Sequence, residues 1–300
     1  MCFALFLLGQ NLSPALAVQD GSDATNNSFV VPIYTEESKD FHNLCSGALL
    51  APAIVATAGH CVLDANGLLS SDIRVGNAGS ENYNSQPLYD SWVRASSVQI
   101  TSTFKKEASI SADDIVFIIL TKPLPMPIKV RLASEAEVLM MKNSSAELKL
   151  LGYGKINEDG VEKKRPNSFT GTFGKEFYAD ANAFGVHSTV GNLCKGDSGG
   201  PILNITATEV VVVGIMTGGR IAKNCTTKEP EGYFLTQGML LSRYSNLAFS
   251  AAVTYIAEIE SKLSKAQGKL RSNITCTKGT STKTLSGANS KCPAGYKKVG

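Results

Sequence analysis

No internal stretch of the 300 residues is both long and apolar enough to cross a bilayer; a spanning helix needs roughly 20 consecutive apolar residues. The most apolar run, Met1 to Gly9, is far too short. There is no CxxC pair and no cysteine–histidine set at zinc-ligand spacing, so the common zinc frameworks are excluded and no metal or other cofactor is expected. Histidine is scarce, with three in the chain, so a role for one is easy to isolate. Acidic residues are missing altogether from 261–300, which hold nine basic ones (Lys262, Lys265, Lys269, Arg271, Lys278, Lys283, Lys291, Lys297 and Lys298). The whole chain carries a formal charge of only +3, which gives no reason to expect nucleic acid. Subtracting the nine leaves −6 for residues 1–260, a mildly acidic body with a basic tail.

With 43% hydrophobic and 18% charged residues the chain has the composition of a globular protein able to bury one large core or two smaller ones. Seven cysteines are present: Cys2, Cys45, Cys61, Cys194, Cys225, Cys276 and Cys292. The apolar N-terminus leads to Leu12-Ser13-Pro14-Ala15-Leu16-Ala17, an A-x-A-like signal-peptidase site, although the positively charged start of such a segment is missing. Removal of residues 1–17 takes Cys2 with it and leaves six cysteines, an even number that suits an oxidising, extracellular compartment. A secreted monomer is expected, with attachment to a cell surface open to it.

From Val18 to about Phe249 short apolar segments alternate with turn residues: Phe29–Tyr34, Ala48–Thr57, Ile115–Leu120, Leu148–Tyr153 and Val210–Met216. Their Val and Ile content and spacing predict an all-β sandwich or barrel. Residues 251–266 differ, lacking Gly and Pro and placing Ile256, Ile259 and Leu263 at helical spacing. They predict one closing helix. A boundary is placed after it, at Gln267-Gly268, with 267–300 as a separate basic segment. No long internal repeat is visible.

Three segments carry chemistry. Gly196-Asp197-Ser198-Gly199-Gly200-Pro201 offers a serine on a glycine-rich turn. A nucleophilic serine needs such a turn, with backbone N–H groups aimed at the oxyanion that forms. A four-residue Gly-Asp-Ser-Gly alone would be an ordinary turn; six residues in this order with Cys194 just before are far more specific. Thr57-Ala58-Gly59-His60-Cys61 places a histidine after an apolar strand and beside a cysteine, a setting for a general base. His42 and His187 have no such context and are read as surface or hydrogen-bonded structural residues. Asp113-Asp114-Ile115-Val116-Phe117-Ile118-Ile119-Leu120 puts a carboxylate at the mouth of an apolar strand, where it can orient an imidazole. The competing reading there is a solvated Asp-Asp turn.

Together these segments resemble the chymotrypsin–trypsin family of serine peptidases, over roughly Val18 to Ala266. The order His, Asp, Ser matches that family and not subtilisins or α/β-hydrolases. Leu151-Gly152-Tyr153-Gly154 and Val213-Gly214-Ile215 resemble two further family segments, the opening of the second barrel and a strand lining the cleft. Gly59 stands where the family commonly has Ala. The resemblance implies two packed six-stranded Greek-key β-barrels, about 18–135 and 136–250, closed by the 251–266 helix. It implies a Ser-His-Asp endopeptidase acting on protein or peptide substrates: Ser198 as nucleophile, His60 as base and then acid, Asp114 holding the imidazole, and the Gly196 and Ser198 N–H groups as oxyanion hole. It pairs Cys45 with Cys61 and Cys194 with Cys225. A further family bridge upstream of the serine loop has no cysteines here, so a looser 180–190 segment is expected.

Family members need a new N-terminus starting Ile or Val, whose α-amino group pairs with the Asp before the catalytic Ser. Val18 resembles that start and Asp197 that partner, with Asp20 at a usual glycine position. Because Ala17–Val18 is also the expected signal-peptidase bond, secretion itself would create the active N-terminus. The same alignment puts Asn192 at the base of the specificity pocket beside Leu193, with Gly219 and Gly232 as walls. It puts Thr217-Gly218-Gly219 where the family has Ser-Trp-Gly. A neutral Asn cannot offset desolvation of a buried cation, so uncharged side chains are preferred over Arg or Lys. The tail, Asn273 to Lys298, resembles short basic Cys-pair modules of secreted bacterial proteins, with Cys276 and Cys292 closing a hairpin. Attachment to an anionic cell-wall or surface polymer is set against a plain solubilising appendage. The alternative for the whole chain is a catalytically silent homologue that binds protein or cell surface; an esterase is a third reading.

Overall fold

The computed structural model describes residues 22–23, 29–38, 41–79, 86–104, 113–126, 128–155, 165–178, 182–206, 209–219, 225, 228–271, 274–285 and 290–299. The expected signal segment, 1–17, and Val18 lie outside them. Two compact units are formed, 1–251 and 252–300.

In chain order the first unit contains β1 (Ser22–Asp23), β2 (Val30–Ser38), β3 (Phe41–Ala51), β4 (Ile54–Thr57), β5 (Ile73–Val75), α1 (Gln86–Ser91), β6 (Val93–Ile100), β7 (Val116–Leu120), β8 (Val130–Leu132) and α2 (Glu135–Asn143). It continues through β9 (Glu147–Gly152), β10 (Asn167–Tyr178), β11 (Ala183–Ser188), β12 (Pro201–Ile205), β13 (Val210–Gly219) and β14 (Phe234–Leu240). Strands β2 to β7 close a six-stranded antiparallel barrel in the order β2-β3-β4-β7-β6-β5. Strands β9 to β14 close a second in the equivalent order, β9-β10-β11-β14-β13-β12, with β12 returning to β9. Each barrel thus runs three neighbouring strands and then jumps to the far side, which leaves no long unpaired edge. Two additions lie outside this symmetry: β1 on β10 and β8, parallel, on β13. The boundary expected at 135/136 therefore meets the start of α2, while β8, on the first side of it, serves the second sheet.

The apolar runs fill the barrel interiors. All five residues of β7 are buried, and β2 and β3 contribute Val31, Ile33 and Leu49, none with any exposure. The second core gathers Leu150, Phe169, Phe184, Ile202, Val213 and Met216, with Phe173 stacked on Phe184 at 4.8 Å. The run Ala48–Thr57 is two strands, not one. Pro52 cannot donate a ladder hydrogen bond, and the chain turns there to pair Leu49 with Val55. Helix α2 starts at a reciprocal Ser134–Glu137 capping box, which satisfies two N–H groups that a helix start otherwise leaves open.

Helix α3 covers Ser245–Arg271, longer at both ends than the 251–266 expected. A lone interior glycine costs only about 1 kcal/mol, so Gly268 does not stop it. At its start, the single turn Leu241–Tyr244 leads directly into it. Beyond it, β15 (Ile274–Lys278), β16 (Ser281–Leu285) and β17 (Lys297–Val299) form a three-stranded antiparallel sheet ordered β16-β15-β17, bridged by Cys276–Cys292. The hairpin expected there gains a third strand. The other two disulfides are Cys45–Cys61 and Cys194–Cys225. No described helix is long and apolar enough to cross a membrane.

Candidate active site

His60 sits on the single 3-10 turn Gly59–Val62 that follows β4. The turn is pinned from three sides. Cys61 is bridged to Cys45 on β3, its amide donates to Ala58 O at 3.1 Å, and its carbonyl accepts from Thr35 Oγ1 at 2.7 Å. Asp114 lies at the mouth of β7. Its two carboxylate oxygens are both used on His60: Oδ1 accepts from the His60 backbone N–H at 2.9 Å and Oδ2 pairs with Nδ1 at 2.8 Å. The Asp114 side chain is 8% exposed and that of His60 33%. A nearly buried carboxylate thus fixes one ring nitrogen of a half-exposed imidazole. The sulfurs of Cys45 and Cys61 lie close to His60, but they are joined to each other and are not metal donors. Gly59 has a local reason to lack a side chain: a Cβ there would come within 3.0 Å of the Phe104 ring and 3.1 Å of Asp114 Oδ1.

The Ser198 loop belongs to the second barrel and leans on the first. The Ser198 carbonyl accepts from Ser46 N–H at 2.8 Å, and Ser46 Oγ donates to Gly196 O at 2.8 Å while accepting from Tyr153 N–H at 2.8 Å. Gly199, at φ +82°, has no room for any side chain, since a Cβ would lie 2.0 Å from Thr57 Oγ1 and 2.2 Å from Ser46 O. The segment after Ser198 is therefore packed directly on the segment that leads into His60. The His60–Asp114 pair and the Ser198 backbone thus lie at this junction of the two barrels.

Two peptide planes set the direction of the predicted oxyanion donors. Lys195 O accepts from Lys155 N–H at 2.8 Å, and Asp197 O accepts from Gly200 N–H at 2.9 Å. In a trans peptide the N–H points opposite to its C=O, so the Gly196 and Ser198 N–H groups are turned away from those partners. Gly196 takes φ +100°, a conformation glycine reaches at no steric cost.

Asp197 has no exposure. Its carboxylate accepts from Gly154 N–H at 2.7 Å and Cys194 N–H at 2.9 Å. Glycines at 152 and 154 are needed beside it, because a Cβ at either would approach it to 2.3 Å. Its predicted partner, Val18, lies outside the described residues.

Around the predicted pocket, Asn192 is buried and donates Nδ2–H to Cys225 O at 3.0 Å. Leu193 packs against the second core. A Cβ at Gly218 or Gly232 would meet nothing within 4 Å, whereas one at Gly219 would face Leu235 O at 2.9 Å. Gly218 and Gly219 pair with Gln237 and Thr236 of β14 on one side; β12 reaches β13 only as far as Ile215, so no described strand covers their other edge. Thr217 Oγ1 is buried with no partner among the described residues.

Two clusters escaped the sequence reading. The first corrects the expectation of a loose 180–190 segment over Ala183–Ser188, residues 180 and 181 lying outside those described. Strand β11 is paired on both edges, to β10 and β14. His187 Nε2 meets Glu176 Oε2 at 2.5 Å while its ring stacks on Tyr233, centroids 4.0 Å apart. Gly174 makes room, since a Cβ there would lie 2.7 Å from Glu176 Oε2 and 2.9 Å from His187 Nε2. The second surrounds Asp113, which accepts from Tyr244 OH at 2.6 Å, from Asn182 Nδ2 at 3.3 Å and from the Thr103 hydroxyl. No local signal marks either cluster, because the partners are far apart in sequence.

No protein of curated function shows significant similarity to the chain. Residues 18–240 match the trypsin family, the span that contains both barrels and every residue of the His60, Asp114 and Ser198 constellation. With that match over well more than half of its length, and with two six-stranded barrels meeting at the site, the chain belongs to the trypsin family of serine peptidases.

Proposed function

We propose that the chain is a secreted serine endopeptidase with His60, Asp114 and Ser198 as its triad. The observation that carries this reading is the doubly bonded Asp114–His60 pair, set where the Ser198 loop packs on the histidine segment. His60 Nε2 takes the Ser198 hydroxyl proton as Oγ bonds to the scissile carbonyl carbon. The carbonyl electron pair moves to oxygen, facing the Gly196 and Ser198 N–H groups. Collapse of that intermediate breaks the C–N bond, and His60 returns the proton to the leaving amine. Water then repeats the sequence on the acyl-enzyme. Each oxyanion donor is worth about 2.7–4 kcal/mol in such a transition state. An extended substrate pairs with the open edge of Gly218–Gly219, and its side chain enters the space that Gly232 leaves.

The test is labelling of the mature protein by a fluorophosphonate, with Ser198→Ala as control. Ser198-dependent labelling is expected. Folded protein that takes no label sinks the reading in favour of a silent binding homologue. On labelled enzyme, a peptide library is expected to show cleavage after uncharged residues, because Asn192 brings no negative charge to the pocket base and its amide is already held by Cys225 O. Dominant cleavage after Arg or Lys refutes that part alone.

The basic tail is assigned to attachment on an anionic cell-wall or surface polymer. Lys283 and Lys298 both pair with Cys276 in the tail sheet, and paired residues share a face; Lys278, two residues along β15, points the same way. Residues 261–300 hold no acid to offset them. Full-length protein is expected to co-sediment with an insoluble polyanion at low salt and to be released at high salt. Replacing Lys278, Lys283 and Lys298 with Gln is expected to abolish this, and retention by the triple variant refutes the assignment.

A further inference from the structure

The residue before the triad aspartate is held in an unusual way. Asp113 has φ +65°, a left-handed conformation that is uncommon outside glycine. Three non-glycine residues among those described have positive φ: Asp113, Ser145 and Asn182. Two of these three, Asp113 and Asn182, bond to each other. Such outliers persist only where the surroundings over-determine them, and here they do. Oδ1 of Asp113 accepts from both Tyr244 OH and Asn182 Nδ2, Oδ2 accepts from the Thr103 hydroxyl, and Asn182 Nδ2 also reaches Tyr244 OH at 3.4 Å. The Asp113 carbonyl in turn takes the Ile115 N–H at 2.7 Å, so a tight turn spans Asp114. The donors come from the second half of the unit as well as the first, tying the mouth of β7 to the loop before β11 and to the turn before α3.

We propose that Asp113 is a positioning residue for the triad: gripped by Tyr244, Asn182 and Thr103, it locks the left-handed step that aims both Asp114 oxygens at His60. The cage also settles the charge of the group. Burial alone would raise the Asp113 carboxyl, but the donors from Thr103, Tyr244 and Asn182 outweigh it and hold it below the usual 3.8. Burial, reinforced by the Asp113 carboxylate, pushes the Tyr244 phenol far above its ordinary value, so it stays a donor. Among the described residues, the titratable groups at this turn are Asp113, Tyr244, Asp114 and His60.

This inference rests on the triad reading. Its test is Asp113→Gly, with Asp113→Asn as the conservative comparison and kcat normalised to the fraction labelled by a fluorophosphonate. Glycine accepts the left-handed backbone without strain but drops the cage. Some thermal stability is lost with the cage, but in the folded, labelled fraction kcat is expected to fall about 10- to 100-fold, the scale of a small misplacement of catalytic groups. A looser Asp114 stabilises the imidazolium less, so the low-pH limb of kcat/KM, which follows His60, is expected to move to lower pH. Asn tolerates the same backbone and keeps one acceptor oxygen, so Asp113→Asn is expected to recover most of kcat. If the glycine variant does not fold, Tyr244→Phe, which keeps the ring and removes one donor, is expected to show the same kcat loss and pH shift on a smaller scale. Wild-type kcat and an unmoved pH limb in labelled variants overturn the inference and leave the triad standing. A melting temperature that falls with no change in kcat overturns it equally. Wild-type protein that takes no label removes both.

Discussion

Ser198→Ala and His60→Ala are each expected to lower kcat by about a million-fold, and the double variant is expected to be no worse than either alone. The reason lies in the geometry. On the proposed triad, Ser198 is a weak nucleophile until a base removes its proton, and His60 is a base with nothing to do once the hydroxyl is gone. The two act as one unit, so removing either removes the covalent route. What survives is transition-state stabilisation by the two N–H groups whose direction is set through Lys195 O and Asp197 O, together with whatever binding Gly218–Gly219 provides. That residue of activity is expected to stand about a thousand- to ten-thousand-fold above water. Progress curves on an activated ester substrate, with each variant purified away from host peptidases, read this directly. Independent, multiplying losses in the double variant would mean that Ser198 and His60 do not work together and would remove the triad.

The residues behind that prediction were legible because the chemistry demands local sequence. A serine on a turn that excludes every side chain at Gly199 must be written as glycine, and a histidine locked by a disulfide must sit beside a cysteine. The barrels were legible through the apolar runs that became β2, β7, β9 and β13. What was hidden is what depends on distant partners. The two barrels repeat one strand order, yet no sequence repeat shows it, because strand pairing asks only for apolar side chains of suitable shape. Asp113 reads locally as a solvated turn residue; its cage comes from Asn182 and Tyr244, 69 and 131 positions away. The missing family bridge suggested slack near β11, but a Glu176–His187 pair stacked on Tyr233 occupies that region instead. A helix that runs through Gly268 shows the same limit at smaller scale: one unfavourable residue is outweighed by its neighbours.

Adding a single residue before Val18 is expected to cripple the mature enzyme without unfolding it. Asp197 is the residue proposed to link the chain start to the oxyanion hole. Its carboxylate is fully buried and accepts from the Gly154 and Cys194 amides. A buried carboxylate needs an opposite charge; breaking such a pair costs about 3–5 kcal/mol. The α-ammonium of Val18 is the proposed source, supplied by removal of the proposed signal segment. Asp197 lies between the two oxyanion donors in sequence, and its carbonyl fixes Gly200 N–H, so a carboxylate pulled toward another partner drags the Gly196–Ser198 backbone with it. A chain matured with one extra alanine is therefore expected to lose at least about a hundredfold in kcat, the equivalent of one misplaced oxyanion donor. Its disulfides and barrels should be intact by circular dichroism. Asp197→Asn, which keeps an acceptor and removes the charge, is expected to be equally poor whichever N-terminus it carries. Edman sequencing of each preparation fixes what the chain begins with. Full activity in the extended form, or a mature chain that is active with a start other than Val18, would break the proposed link between secretion and activation.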